Sequence, residues 1–368
     1  MNGTFDVVVI GGGPAGSAAA ITLARTGARV ALLEAGRFPR QKVCGEFVSP
    51  ESLALLHSLV KRAVASRYQP IAQARLFVAG SCTTVALQPA AASVPRVDLD
   101  LDLWRAAQAA GAHCFDETPA LRIESGQPAT ILLDRGHRLF ARSVIDATGR
   151  WSRLHSADQA KALSSSFGPR WIGLKAHYHE PARPASVDLY FFEAGYCGVQ
   201  PVSDSEINVC AMVRSDRAKS LADAFGLHPA LLSRSLRWKL ASDPVSTSPL
   251  IFRPRKPVKD SVFHVGDAAG FIDPFAGDGI ALALQSGSLA AHVIAEHLRA
   301  DLPLSNALRR YEREYHRRFE PIFRSAERIR VLLDLPSPLR SLTLGALRLP
   351  FLAEYMVRKT RGRADHAA

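Results

Sequence analysis

An α/β fold is predicted, in which a parallel sheet is interrupted by a β-rich insertion and the chain ends in helices. Three observations carry this. Residues 6–10 and 29–33 are short valine- and leucine-rich runs on either side of an alanine-rich helical stretch, 14–27, which is the strand–helix–strand spacing of a parallel pair. Residues 171–213 change character and read as a succession of short strands. At 261–265 the first style returns, with an apolar strand leading to a long helix at 278–298.

Each element follows from its local chemistry. The 6–10 run is apolar throughout, as a strand covered on both faces should be. Gly27 closes the first helix, and Glu34 ends the second strand. Residues 37–50 read as loop, 50–60 as helix, and 71–78 and 82–87 as strands. An amphipathic helix at 98–110 stops at Gly111, and strand-like pieces follow at 129–134 and 137–146. In the insertion, antiparallel strands are expected at 171–179, 187–192, 196–202 and 207–213, then helices near 216–225 and 228–241. The chain from 305 is mostly helical and rich in arginine. The long 278–298 helix is assigned to the first domain. That domain is therefore discontinuous, at 1–70, 96–165 and 255–300. The insertion comprises 71–95 and 166–254, and 301–368 forms a helical C-terminal segment.

Composition narrows the functional classes. The 368 residues, 47% hydrophobic and 22% charged, suit a globular chain of two domains at ~100–200 residues each. The five cysteines are scattered and form no C-x-x-C pair, which argues against a disulfide framework, dithiol chemistry and a zinc site; no metal is expected. A reducing, cytoplasmic setting is expected. There is no signal-peptide pattern and no apolar run of ~18 residues, so no transmembrane helix is expected. The net charge of +12 raises nucleic-acid binding, yet no zinc-finger or RNP-like pattern accompanies it. An anionic cofactor or an anionic membrane face accounts for the charge equally well.

Gly11-Gly12-Gly13-Pro14-Ala15-Gly16 is a G-x-G-x-x-G run set between strand and helix, the context this Rossmann-type motif requires. Gly11 permits the tight turn, Gly13 lets the backbone approach a pyrophosphate, and Gly16 lets the helix pack on the strand. The helix N-terminus offers N–H groups and a positive dipole to phosphates. Glu34, about 20 residues on, stands where an acid can bind a ribose hydroxyl. The motif does not distinguish FAD from NAD. A second constellation does. Gly266 and Asp267 follow a strand, and Pro274, Gly277, Asp278, Gly279 and Ile280 lead into the long helix. Asp267 is placed to bind a ribityl hydroxyl, and the two loop glycines let the backbone lie against a flat ring. The helix then directs its positive end at a site where a reduced flavin carries negative charge.

Three segments resemble the flavoprotein class that includes para-hydroxybenzoate hydroxylase, the geranylgeranyl reductases and the flavin-dependent halogenases. They are VVVIGGGPAGSAAAITLARTGARVALLE at 7–34, VIDATGRWSRLH at 144–155 and VFHVGDAAGFIDPFAGDGIALALQSG at 262–287, in the class's order. FPRQKVCGEFVSPESL at 38–53 resembles the geranylgeranyl-reductase-like branch, and within it the monooxygenases that accompany bacterial polyketide synthases. The resemblance implies a Rossmann-type FAD-binding domain with an inserted β-rich substrate domain. It implies that Gly11, Gly13, Pro14, Ala15, Gly16 and Glu34 hold the ADP part. Arg96 would meet the phosphate or ribityl region, Gly149 and Asp146 belong to the central motif, and Arg40, Lys42, Cys44, Gly45 and Glu46 lie in a loop near the flavin.

The activity implied is FAD-dependent hydroxylation of a hydrophobic, aromatic or polyketide-derived small molecule through a flavin hydroperoxide. The alternatives are saturation of isoprenoid double bonds with electrons from a partner, and FAD binding without catalysis. Where hydroxylases of this class read Asp-Gly, this chain reads Asp146-Ala147, which points away from direct reduction by NADPH. The donors to weigh are thus NADPH, NADH or a separate flavin reductase. The strand Tyr196-Cys197-Gly198-Val199-Gln200-Pro201 lacks the Trp-x-Trp-x-Ile-Pro element of halogenases and keeps only an outline of the reductases' aromatic element. No catalytic residue is assigned. Candidate substrate-side groups are His177, Tyr190 and Tyr196, with His179 on the same strand face as His177. The arginine-rich end, with 342–356 mixing apolar residues with Arg348 and with Arg358, Lys359, Arg361 and Arg363 following, is read as a helical cover over the substrate domain. Peripheral membrane contact is its second reading.

Overall fold

The computed structural model describes residues 2–60, 68–78, 80–150, 154, 170–181, 185–247, 249–250, 252, 254–274 and 277–333. Among these, two sheets form, and they share the chain in alternation. The first contains Asn2–Ile10, Val30–Leu33, His113–Phe115, Arg138–Asp146 and Val262–His264 as parallel neighbours. Asn2–Ile10 lies between Val30–Leu33 and Arg138–Asp146, so the connections leave it in opposite directions. Its C-terminal end is therefore the switch point at which such sheets bind ligands. Alternation along this strand feeds two cores. Val7 and Val9 join the helical side, with the helices Pro14–Ala24, Arg96–Ala109, Gly279–Ala300 and Leu304–Leu333. Val8 and Ile10 join the other side, with Ile131 and Leu133 of the antiparallel strand Ala129–Leu133.

The Gly279–Ala300 helix crosses Pro14–Ala24 so closely that a Cβ on Gly287 would lie 2.1 Å from the Ala15 carbonyl oxygen. The arginine-rich Leu304–Leu333 helix turns Tyr311, Tyr315, Phe319 and Phe323 into the same core. It is tied to the sheet by Tyr311 Oη, which donates to the His264 carbonyl at 2.7 Å, and by Arg255, which binds Glu320 and Glu327. The basic residues from 342 onward lie outside the described residues.

The second sheet takes Trp171–His179, Ser186–Phe192, Gly195–Pro201 and Glu206–Arg214, together with Gln69–Val78 and Ser81–Ser93. The four insertion strands were expected to be successive and antiparallel. The structure differs: Trp171–His179 pairs with Glu206–Arg214, and Ser186–Phe192 pairs in parallel with Gln69–Val78. The loop expected at 37–50 contributes a short strand, Phe47–Val48, which pairs with Ser93 and Ala92. This joins the 37–50 segment of the first domain to the second sheet. Strands His113–Phe115 and Ala120–Glu124 were not foreseen.

The two expected insertion helices are shorter, Leu221–Gly226 and Pro229–Ser235. A capping box formed by Ser220 and Asp223 sets the start of the first, and Trp238 Nε1 is drawn away to Glu180 beyond the second. Both helices cover the outer face of the sheet. They are locked there by Arg234, which donates to both Glu180 oxygens at 2.7 and 2.6 Å, to Asp188 at 2.5 Å and to Tyr190 Oη at 2.9 Å. Arg75 completes the shell of the buried Asp188.

Candidate functional site

The glycine motif builds a turn in which each glycine has a different reason to be one. Gly11 has φ +108°, and a Cβ there would sit 2.3 Å from the Ala147 carbonyl oxygen. A Cβ on Gly16 would sit 1.9 Å from the Gly11 carbonyl oxygen. These two glycines press strand, helix and the 146–149 turn together. Gly13 is the opposite case. It caps Pro14–Ala24 with ordinary dihedrals, φ −75° and ψ −175°, and a Cβ on it would meet nothing within 4 Å. That open space lies at the start of the helix, where the first-turn N–H groups have no helical acceptor. A pyrophosphate fits this cradle, and alanine at Gly13 would fill it.

Glu34 ends its strand buried, and both its oxygens are held. It accepts from Gly12 N at 2.8 Å, from Gly36 N at 2.9 Å and from the Arg40 guanidinium, at 2.8 Å for Nη2. Burial alone would raise its pKa, but the Arg40 hydrogen bond and charge and the two backbone donors hold it below the ordinary carboxylate value. Arg40, expected beside the flavin, pairs with Glu34. It also stands 4.0 Å from Asp100, which takes both Arg96 donors at 2.7 Å.

At the other end, Asp267 begins the turn after Val262–His264. Its side chain is 34% accessible, yet the groups around it belong to the protein, so it lines a cleft. Desolvation raises its pKa, opposed by Arg150 and Arg96. Arg150 Nε is 3.5 Å from Asp267 and its guanidinium lies 4.1 Å over the Phe271 ring, which stacks on Phe252. Gly149, Gly266 and Gly277 have positive φ. Gly266 N donates to Ser286 Oγ at 2.9 Å, and Gly277 N donates to the Pro274 carbonyl at 3.1 Å. Asp278 is the N-cap of Gly279–Ala300, Ile280 is buried, and Gly279, like Gly45, leaves open space where a Cβ would stand. The ring of Phe47 comes within 3.2 Å of a Cβ built on Gly277, so the 44–47 segment flanks this turn. An acid at a strand end, open backbone at Gly13, Gly45 and Gly279, and a helix N-terminus make a cleft that FAD fits.

The inner face of the second sheet covers the cleft from the other side. His177, Tyr190 and Tyr196 do not converge on it. Register explains why: Tyr190 pairs with Cys197 and Phe191 with Tyr196, so the two tyrosines point to opposite faces. Tyr190 belongs to the outer core, stacked on Phe77 and bonded by Arg234. Tyr196 packs on the inner face with Leu76, Val78, Phe191 and Met212 near Phe271; burial raises its pKa well above the ordinary value. His177 is buried on Glu46, and His179 is exposed at the strand end, 3.8 Å from Glu206. Sequence reasoning missed Lys175, Asn208 and Arg150. The two-residue period that paired His177 with His179 also contains Lys175.

Two packed sheets, a glycine-lined phosphate cradle and a cleft ending at Asp267 define an FAD-dependent oxidoreductase. The FAD binding domain model matches residues 4–326, and the chain belongs to that family. The chain is 30% identical to a menaquinone reductase of Mycolicibacterium smegmatis, an alignment covering 97% of this chain and 91% of that protein. It is 28% identical to a digeranylgeranylglycerophospholipid reductase of Methanocella arvoryzae, covering 85% and 83%. Among solved structures, a geranylgeranyl bacteriochlorophyll reductase-like protein from Thermoplasma acidophilum superposes with TM-score 0.80 at 21% identity, over 98% and 96% of the chains. A flavin-dependent brominase gives 0.76 at 21%, over 97% and 93%. These two share the fold. No helix among the described residues is long and apolar enough to cross a membrane.

Proposed function

We propose that this flavoprotein saturates a carbon–carbon double bond in a long, apolar, isoprenoid-type molecule, with electrons supplied by a separate donor. The observation that carries this reading is the likeness along nearly the whole chain to relatives named as reductases of lipid-like molecules. The geometry supports it. Leu76, Val78, Val85, Phe191, Tyr196 and Met212 are buried together as an apolar cluster on the inner face, and the partly buried Phe252 and Phe271 pack against it next to the cleft. An apolar chain entering the cleft beside Phe252 and Phe271 would exclude water from the reacting bond. When bound and reduced, FAD supplies such a bond with a hydride, that is two electrons and one hydrogen, and the second hydrogen has to come as a proton from water or a protic group at the site. The protein's own part is to hold the pyrophosphate at Gly13 and to orient the flavin end between Asp267, Arg150 and the Gly277 turn.

Hydroxylation of an aromatic or polyketide-derived substrate is the second reading. Its specific support is His177, an imidazole on the inner face whose Nε2 lies 2.8 Å from Glu46, the kind of group that can ionise a phenol. The test is a product assay on the purified holoprotein. Anaerobic protein reduced with dithionite is given geranylgeranyl lipids and menaquinone, and in parallel, with labelled O2, alkylresorcinols. Gain of hydrogen by the lipids supports the reductase. Labelled oxygen in the phenols, with the lipids unchanged, overturns it in favour of the hydroxylase. Adding NADPH or NADH while following flavin bleaching tests the donor: no bleaching is expected if a partner protein feeds the flavin.

A further inference from the structure

Glu46 is a non-glycine residue in the left-handed region, φ +59°, with no exposed surface. A long side chain is held in this conformation only where its surroundings over-determine it. Here three donors from two elements converge on one carboxylate. Arg96 N donates to Oε1 at 2.8 Å from the start of Arg96–Ala109. Lys175 Nζ donates to Oε1 at 2.5 Å, and His177 Nε2 stands 2.8 Å from Oε2, both from the inner face of Trp171–His179. Lys175 is itself 1% exposed and has a second partner in Gln41 Oε1 at 3.0 Å. One register step away, Asn208, the partner of His177 across the strands, donates from Nδ2 to the Cys44 carbonyl at 3.1 Å.

All these contacts fall on one short segment, 41–46, and all but that of Arg96 come from the second sheet. The next residue, Phe47, is the side chain that packs against the Gly277 turn. The strand Phe47–Val48 then joins the segment to the second sheet by backbone pairing. A buried lysine and a buried glutamate are costly unless paired, and a fold that needed only cover here would use apolar residues. We propose that Glu46 is a positioning residue for the flavin: anchored by Lys175 and His177, it fixes the Cys44–Phe47 segment against the Gly277 turn, so that the substrate sheet sets the fit of the cofactor. The inference rests on FAD binding alone and not on the reductase reading, so failure of either shows in a different measurement.

The test uses the full chain, stripped of flavin and titrated with FAD, following flavin fluorescence and the visible absorption bands. Glu46→Gln removes the charge, keeps the shape and leaves the Lys175 ammonium without its counter-ion. FAD affinity is expected to fall about tenfold, with a shifted absorption band. Adding Lys175→Met to Glu46→Gln removes the orphaned ammonium and is expected to restore most of that affinity. His177→Asn keeps the Glu46–Lys175 pair and is expected to weaken FAD by about threefold to tenfold. It also keeps the test decisive if Glu46→Gln does not fold. A folded Glu46→Gln or His177→Asn protein with a lower melting temperature but unchanged FAD affinity and bands overturns the proposal. So does a double variant no better than Glu46→Gln.

Discussion

Replacing Gly13 by alanine should separate cofactor binding from folding. The backbone there has φ −75° and ψ −175°, which alanine adopts freely, and the added methyl meets no atom within 4 Å. Two small terms then act on stability. Restricting the unfolded chain favours the variant by about 0.4–1 kcal/mol. Loss of glycine at an N-cap costs about the same. The apoprotein should therefore melt close to the wild type. The methyl, however, stands in the space a phosphate must enter. Losing one charge-assisted hydrogen bond costs about 1.5–3 kcal/mol, which is roughly ten- to hundredfold in Kd. Gly16→Ala is the control of opposite sign. Its methyl would lie 1.9 Å from a backbone oxygen, which no rotamer change relieves, and a loss of more than about 3 kcal/mol is expected. Thermal melts of the apoproteins and FAD titrations of both variants make the assay. A Gly13→Ala protein with wild-type FAD affinity would refute the cradle. A Gly16→Ala protein of wild-type stability would refute the close packing.

Asp267→Asn should raise the melting temperature of the apoprotein at neutral pH and weaken FAD, because Asp267's pKa is raised by desolvation and its ionised form opposes folding there. A lower apoprotein melting temperature would contradict this. Glu34 and Glu46 have the opposite sign. Burial works against each, but Arg40 for Glu34, and His177 and Lys175 for Glu46, hold both below the ordinary 4.5. The unfolded chain therefore takes up their protons first, and the stability they contribute is complete above about pH 5 and lost as pH falls below that. Urea midpoints measured across pH 3–7 should show this fall, and Glu46→Gln should flatten it. Arg234→Met leaves Glu180 buried without its cation, while Asp188 keeps Arg75, and about 3 kcal/mol of stability should go with it. Denaturant unfolding reads this directly, and an unchanged midpoint would contradict it.

The parts of this protein that sequence made legible are those whose causes are local. The apolar 6–10 run, the glycines at 11, 13 and 16 and the alanine-rich helix needed no distant partner to be read. The same holds for the long helix behind Asp278. What could not be read depends on pairing. Nothing in 171–179 says that it lies beside 206–214 rather than beside its neighbour in sequence. Nor does 37–50 announce that Phe47–Val48 will pair with Ser93 and Ala92. Tyr190 and Tyr196 looked equivalent because both are aromatic residues on adjacent strands; only the Tyr190–Cys197 register parts them. Arg40 reads as a cofactor ligand by position, and its pairing with the acid at the strand end is a contact that spacing alone does not show. Lys175 was legible through its two-residue spacing from His177, but a lysine in a strand is ordinarily taken as solvated.

The crossing of the Gly279–Ala300 helix over Pro14–Ala24 sets the order in which the molecule can become whole. A nascent chain makes its phosphate cradle in its opening stretch. The alanines of that first helix, Ala18 to Ala20, are fully covered only in the finished fold. The strand Val262–His264 and the glycine-notched helix behind it emerge from the ribosome long after the insertion. Until they arrive, an apolar helix face stays bare and Asp267 does not yet exist to meet the flavin. Stable cofactor binding should therefore require this late-emerging helix. Chains cut short anywhere before that helix should accumulate as flavin-free, aggregation-prone fragments, however intact their glycine motif.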